Sequence, residues 1–259
     1  MTPLSGRKSR GPAILRTLRS ATFLALALPA YAMLAYVVLP AVWRRHESLP
    51  GEEGACPRLT YTAEGIPADP INVAIVGTRA EVVSAMHAAG WIQADRITFR
   101  SGLRDAGSVL FDRPYASAPM STHFVARRRP QDFAFEQLAG RSPRRRHHVR
   151  FWRYGGDNDS GRAIWLGSAS FDRSLGISRF TGEVMHHIDP RIDAERDKLI
   201  EDLDHAGRIG GLSRLAGFLP ALRGRNGGGD WYVTDGRLAV VALRSPGAVT
   251  SSSSLRPRA

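Results

Sequence analysis

The sequence predicts an α+β protein: one mixed domain with a largely antiparallel sheet and covering helices, preceded by a single transmembrane helix. Three observations carry this. The 23 residues from Ala21 to Trp43 contain no charge. A near-continuous apolar run, INVAIV (Ile71 to Val76), leads into a capped amphipathic helix. Beyond it, alternating segments read as several strands, with one acid-rich helix among them.

Residues 1–20 are basic and carry no acid, and they read as a disordered cytoplasmic N-terminus. Residues 21–43 span ~34 Å as a helix, against a bilayer core of about 30 Å. Tyr31, Tyr36 and Trp43 suit an interface position. Arg7, Lys8, Arg10, Arg16 and Arg19 precede the span. Arg44 and Arg45 follow it, and Glu47, Glu52 and Glu53 come next. The positive-inside bias therefore places the N-terminus in the cytoplasm and the domain outside, a single-pass arrangement in the cell inner membrane. A cleaved signal peptide, cut at Ala30-Tyr31-Ala32, is the competing reading. The apolar run continues eleven residues past Ala32, which favours an uncleaved anchor. Pro29 and Pro40 predict modest kinks.

Residues 44–69 read as a polar, proline- and glycine-rich linker, 70–244 as the domain, and 245–259 as a serine-rich disordered tail. Within the domain, Thr78 and Glu81 have the capping-box spacing, and Val82, Val83, Met86 and Ala89 make a buried stripe. The turn before that helix holds one glycine where a dinucleotide site needs several. A second helix is expected over Ser101 to Phe111, with Leu103, Val109 and Leu110 inward. Strands are expected over Ser121 to Arg128, Asp132 to Gln137, Arg144 to Arg153 and Ala163 to Ser170, with a turn through Gly176. Val184 to Ile188 alternates as a short strand, with His186 on one face and His187 and Asp189 on the other. Asp189-Pro190 reads as the start of a helix whose apolar stripe is Ile192, Leu199, Ile200, Leu203 and Ala206. Gly227 to Gly229 reads as a flexible joint. Asp235-Gly236, between Trp231 to Val233 and Leu238 to Leu243, reads as a hairpin turn.

The formal charge is +12, which invites a nucleic-acid reading. Seven of the excess basic residues lie in residues 1–45, however, and Arg256 and Arg258 sit in the tail, leaving +3 for the rest. The chain is therefore not expected to bind nucleic acid, and its expected partner is the lipid bilayer, through residues 21–43. A single cysteine, Cys56, excludes an internal disulfide framework.

Several segments, in order, resemble the LssY C-terminal domain family of bacteria: DPINVAIVG with AAGW (Asp69 to Gly77, Ala88 to Trp91), RPYASAP (Arg113 to Pro119), RRPQDFAFEQ (Arg128 to Gln137), SPRRRHHVRFW (Ser142 to Trp152), IWLGSASFD (Ile164 to Asp172) and HHIDPRIDAERD (His186 to Asp197). The resemblance covers about Asp69 to Gly207. It implies a bacterial envelope setting and, as partners, other envelope or secretion-system proteins. It implies no particular reaction and no catalytic residues. The membrane-embedded phosphatase regions that accompany the domain in some relatives are not carried over to a chain with one span.

Two functions remain open. The first is a membrane-anchored binding or accessory module for an anionic ligand or a partner protein. Arg145, Arg150, Trp152 and Asp172 are its candidate ligand contacts, because guanidinium groups match phosphate and carboxylate bidentately. The bland reading of Arg144 to Arg146 is a solvated basic strand edge. The second is a hydrolase for a phosphoester or other anionic envelope substrate, with His148, Arg150, His187 and Asp189 as catalytic candidates. Under that reading His148, His187 and Asp189 are candidate metal ligands. Against it, Asp189 is explained by helix capping alone. The sequence specifies no cofactor.

Overall fold

The computed structural model describes residues 11–46, 56–125, 129–155 and 161–245. The expected disorder of residues 1–10 and 246–259, and the arginines at 127 and 128, lie outside this set. The apolar segment is helical, as α1 (Gly11–Met33) and α2 (Leu39–His46), joined through a wider five-residue turn, Leu34–Val38. Pro40 accounts for the widening: it donates no hydrogen bond, and its ring crowds the carbonyl of Tyr36. The stretch Ser20–Arg45 is long and apolar enough to cross a membrane.

The domain is α+β, built on a mixed, mostly antiparallel sheet. Its centre is β3 (Val73–Gly77), β8 (Arg146–Tyr154) and the 15-residue β9 (Ala163–Ile177). β7 (Phe133–Leu138) and the short β4 (Ile92–Gln93) extend one side; β14 (Leu238–Leu243) and β11 (Ile209–Leu215) extend the other. β14 pairs parallel with β3, and the other ladders of this sheet are antiparallel. β10 (Val184–Ile188) pairs with the far end of β9. The turn expected at Gly176 is absent: β9 runs through that position and reverses only beyond Ile177.

Helices α3 (Arg79–Ala88) and α5 (Ile192–His205) cover one face, over Ile75, Phe135, Val149, Phe151 and Trp165. The expected capping box is present, with Glu81 N–H donating to Thr78 Oγ1 (3.1 Å) and Thr78 N–H donating to Glu81 Oε2 (2.7 Å). α5 starts two residues later than its sequence suggests. Its cap position is Arg191, and Asp189 Oδ1 instead accepts the Arg191 N–H at 2.9 Å, outside the helix.

The opposite face is covered by β1 (Leu59–Tyr61), β2 (Pro67–Pro70), β5 (Phe124–Val125) and β6 (Arg129–Pro130), in the order β2-β1-β5-β6. Two of these strands fall in the stretch read as linker. Val125, Trp152, Leu166, Phe218 and Leu219 form the apolar part of this second layer. The Asp235-Gly236 hairpin does not form. β13 (Trp231–Val233) pairs with β12 (Arg223–Arg225), while β14 enters the central sheet. The sequence signal was local, whereas Leu238 to Leu243 gains more by burial beside β3. Gly227 to Gly229 is a tight turn rather than a joint: Asn226 Oδ1 accepts the N–H groups of Gly228 and Asp230, and Gly229 takes a left-handed φ of 87° that favours glycine.

Candidate functional site

Period-2 alternation gives β8 two chemistries. Val149 and Phe151 enter the core beneath α3 and α5, while Arg146, His148 and Arg150 point to the opposite layer. The paired strands β7 and β9 place Glu136 across from His148 and Asp172 across from Arg146. The result is a buried polar array inside the sheet, with Glu136, Arg146, His148, Arg150 and Asp172 each no more than 5% exposed. It forms the floor of a cavity of about 680 Å³.

Asp172 is the hub. Its Oδ1 lies 3.0 Å from His148 Nε2, and its Oδ2 accepts from Arg146 Nε at 3.0 Å. His186 Nδ1 stands 4.0 Å from the same Oδ2. Burial alone would raise the Asp172 carboxyl. His148, through charge and hydrogen bond, together with His186 and Arg146, outweighs that and holds it well below the usual carboxylate range. Arg146 also donates Nη1–H to Glu136 Oε2 at 2.8 Å. Burial still pushes Glu136 up to about 8, with Arg146 opposing.

Arg150 is held differently. Nε donates to the Ser121 carbonyl (3.2 Å), Nη2 to Ser121 Oγ (3.3 Å) and Nη1 to His148 Nδ1 (3.3 Å). When the imidazole is neutral, His148 Nδ1 accepts this contact and Nε2 carries the proton toward Asp172. The nearest carboxylate to Arg150 is Asp69, at 3.5 Å. Burial raises Asp69, against the pull of Arg150 and His148, and burial lowers Arg150. Around the walls stand His123, His186 and Asp105. Burial pushes both imidazoles down, His123 further, and raises Asp105. Asp105 Oδ1 is buried with no hydrogen-bond partner among the described residues.

Of the residues singled out from the sequence, His148, Arg150 and Asp172 come together here. His187 and Asp189 do not. His187 lies on the other side of β10, where Nδ1 pairs with Asp230 Oδ1 at 2.8 Å over Gly176. Asp189 is tied to Arg191, through the backbone N–H and through Nε at 3.3 Å. Neither lines the cavity, so the expected His148–His187–Asp189 ligand set is not assembled. Among the described residues no group of three His, Cys, Asp or Glu side chains gathers into a set that could hold a metal ion. Trp152 is buried on the same face of β8 as Arg150, in the apolar part of the second layer. Arg145 is exposed and lies over the Phe171 ring, 5.8 Å from its centroid. Arg146 is no solvated edge. It is paired with both Glu136 and Asp172, and its period-2 relation to His148 was the available signal. Asp69, Glu136 and His123 were missed, because only strand pairing and the covering layer bring them in.

No curated protein and no solved structure matches the chain. The family model described as LssY C-terminus matches residues 53–238, a span that holds the whole polar array and the strands that build it, and the chain belongs to that family.

Proposed function

We propose that this is a membrane-anchored binding module whose cavity takes an anionic group, phosphate or carboxylate, of a ligand or partner. The observation that carries the reading is Arg150. Arg146 has two close acidic partners, Glu136 Oε2 at 2.8 Å and Asp172 Oδ2 at 3.0 Å. Among the described residues Arg150 has one carboxylate within ion-pair reach, Asp69, and that at 3.5 Å. A buried guanidinium on a cavity floor with no closer carboxylate favours an anion, which it can bind through its planar fork. The apolar helix supplies the anchor. The positive-inside bias supports a cytoplasmic N-terminus and a domain outside the inner membrane, where envelope or secretion-system proteins are available partners.

A second reading, a hydrolase for a phosphoester or similar anionic substrate, is favoured by His186. Its Nε2 must donate to the Pro143 carbonyl at 3.0 Å, which leaves Nδ1 with its lone pair on the cavity side near Asp172. Burial lowers this imidazole's pKa, toward the neutral form a general base requires. In this reading His186, the sequence's alternative to His187, takes the base role, and Arg150 stabilises developing negative charge.

The test is calorimetric titration of the full chain in nanodiscs with inorganic phosphate and with glycerol 3-phosphate. Saturable binding that weakens about tenfold or more in Arg150→Gln, an effect expected for a lost charge-assisted contact, supports the module; Arg150→Lys should retain part of it. Binding unchanged in Arg150→Gln refutes it. Turnover of a chromogenic phosphomonoester that vanishes in His186→Gln would instead establish the hydrolase.

A further inference from the structure

Helix α4 (Phe99–Leu110) is turned inside out relative to α3 and α5. Phe99, Leu103 and Leu110 are spaced to share one side. Leu103 and Leu110, expected to face inward, instead face away from the domain with Phe99: Phe99 is 84% exposed, Leu103 59% and Leu110 68%. The one buried residue of the helix is a serine, Ser108. Phe111, just past its end, is also exposed. Burial of large apolar side chains is favourable, and here that burial is left unused.

Arg96, Arg100, Arg104 and Arg113 are all exposed around the stripe. Asp95 and Asp112 are exposed as well, but each is hydrogen-bonded to a neighbouring side chain. Asp95 Oδ2 accepts from the Tyr115 hydroxyl at 2.6 Å, Asp112 Oδ1 accepts from Ser142 Oγ at 2.7 Å, and Asp105 lines the cavity. An apolar stripe flanked by arginines has the pattern of a helix lying in an anionic headgroup layer.

A separate observation names the surface it meets. Tyr36 of the apolar anchor lines the same cavity as Gly102, Ala106 and Val109 of α4. The anchor is also hydrogen-bonded to the turn between β9 and β10. Tyr31 Oη donates to the Gly182 carbonyl (2.6 Å), Trp43 Nε1 donates to the Phe180 carbonyl (3.0 Å), and Val184 N–H donates to Tyr36 Oη (3.0 Å). A bilayer that holds the anchor therefore reaches the flank of the domain on which α4 lies.

We propose that α4 rests in the headgroup layer of that bilayer, with Phe99, Leu103 and Leu110 at the acyl boundary and Arg96 and Arg100 on anionic lipid headgroups. The partner is an anionic membrane surface, and the wall of the cavity is set against it. The inference does not depend on what the cavity binds.

The test uses the full chain in vesicles of phosphatidylcholine with added phosphatidylglycerol. In a Cys56→Ser background, Leu103→Cys carries an environment-sensitive nitrobenzoxadiazole label, and Glu201→Cys on the exposed side of α5 is the control. Phe99→Cys is read in the same way should labelling at 103 disturb folding. The expected result is a blue-shifted emission at 103 that loses more than half its intensity to lipid-borne nitroxide, a loss reduced by high salt or by omitting phosphatidylglycerol, with none at 201. Quenching at 103 by aqueous iodide but not by lipid nitroxide overturns the proposal. So does a blue shift insensitive to lipid nitroxide that grows with the protein-to-lipid ratio, which would identify a second copy of the chain as the occupant.

Discussion

His148 Nε2 and Asp172 Oδ1 lie 3.0 Å apart on neighbouring strands, with both side chains almost wholly excluded from water. This contact ties the cavity to the sheet. Asp172 is also the carboxylate that compensates Arg146, so one side chain serves both an imidazole and a guanidinium. Replacing either partner leaves a buried group without its counterpart, a far larger cost than loss of an exposed pair.

Asp172→Asn is therefore expected to destabilise the domain by about 3–5 kcal/mol near neutral pH, measured by denaturant unfolding of the detergent-solubilised chain. The pH dependence has a definite sign. The Asp172 carboxyl is held well below its usual range in the folded state, so its contribution is present above about pH 4 and is lost as pH falls below that value. The wild type should lose stability on this acid limb, and Asp172→Asn should lose less. Parallel acid limbs would show that the contact contributes little.

Glu136 works in the opposite direction. The folded protein keeps its proton up to about pH 8, while the unfolded chain releases it near 4.5. Raising pH through this window favours the unfolded state, and below it the effect is constant. Glu136→Gln should remove that loss, so the stability difference between variant and wild type should move in favour of the variant by on the order of a few kcal/mol from pH 4.5 to 8. A difference that stays flat across the window would mean that Arg146 keeps Glu136 ionised throughout.

How much of this was legible in the sequence depends on the range of each signal. The charge-free run, the Thr78–Glu81 cap and the alternation of Arg146, His148, Arg150 and Trp152 are local, and the structure follows them. The partner of each strand is not local. Asp235-Gly236 is good turn chemistry, yet its flanking strands go to different neighbours. His187 and Asp189 looked like a pair because two residues on one strand face share a side. The structure gives each its own partner, Asp230 and Arg191, which strand spacing cannot reveal. His186, on the other face of the same strand, is the one beside Asp172.

Arg196 offers a test of how α5 is fastened. Its side chain is 2% exposed and contacts Asp193 at 3.1 Å, Asp197 at 3.0 Å and Asp235 at 2.9 Å. Two of these acids are on its own helix, and the third lies in the segment between β13 and β14. Burial opposes the guanidinium charge, but its hydrogen bonds to the Asp197 and Asp235 carboxylates raise its pKa above the usual value. Removing the cation leaves three carboxylates facing one another. Their partial exposure lets water relieve part of the repulsion, so Arg196→Met should cost about 3 kcal/mol, the lower end for a broken buried pair. The double variant Arg196→Met, Asp235→Asn should recover part of that loss, because the two effects share one contact. Hydrogen exchange should show opening concentrated at the start of α5 and at residues 234–237. Additive losses in the double variant, or faster exchange confined to α5, would mean that the helix is held by its apolar stripe alone.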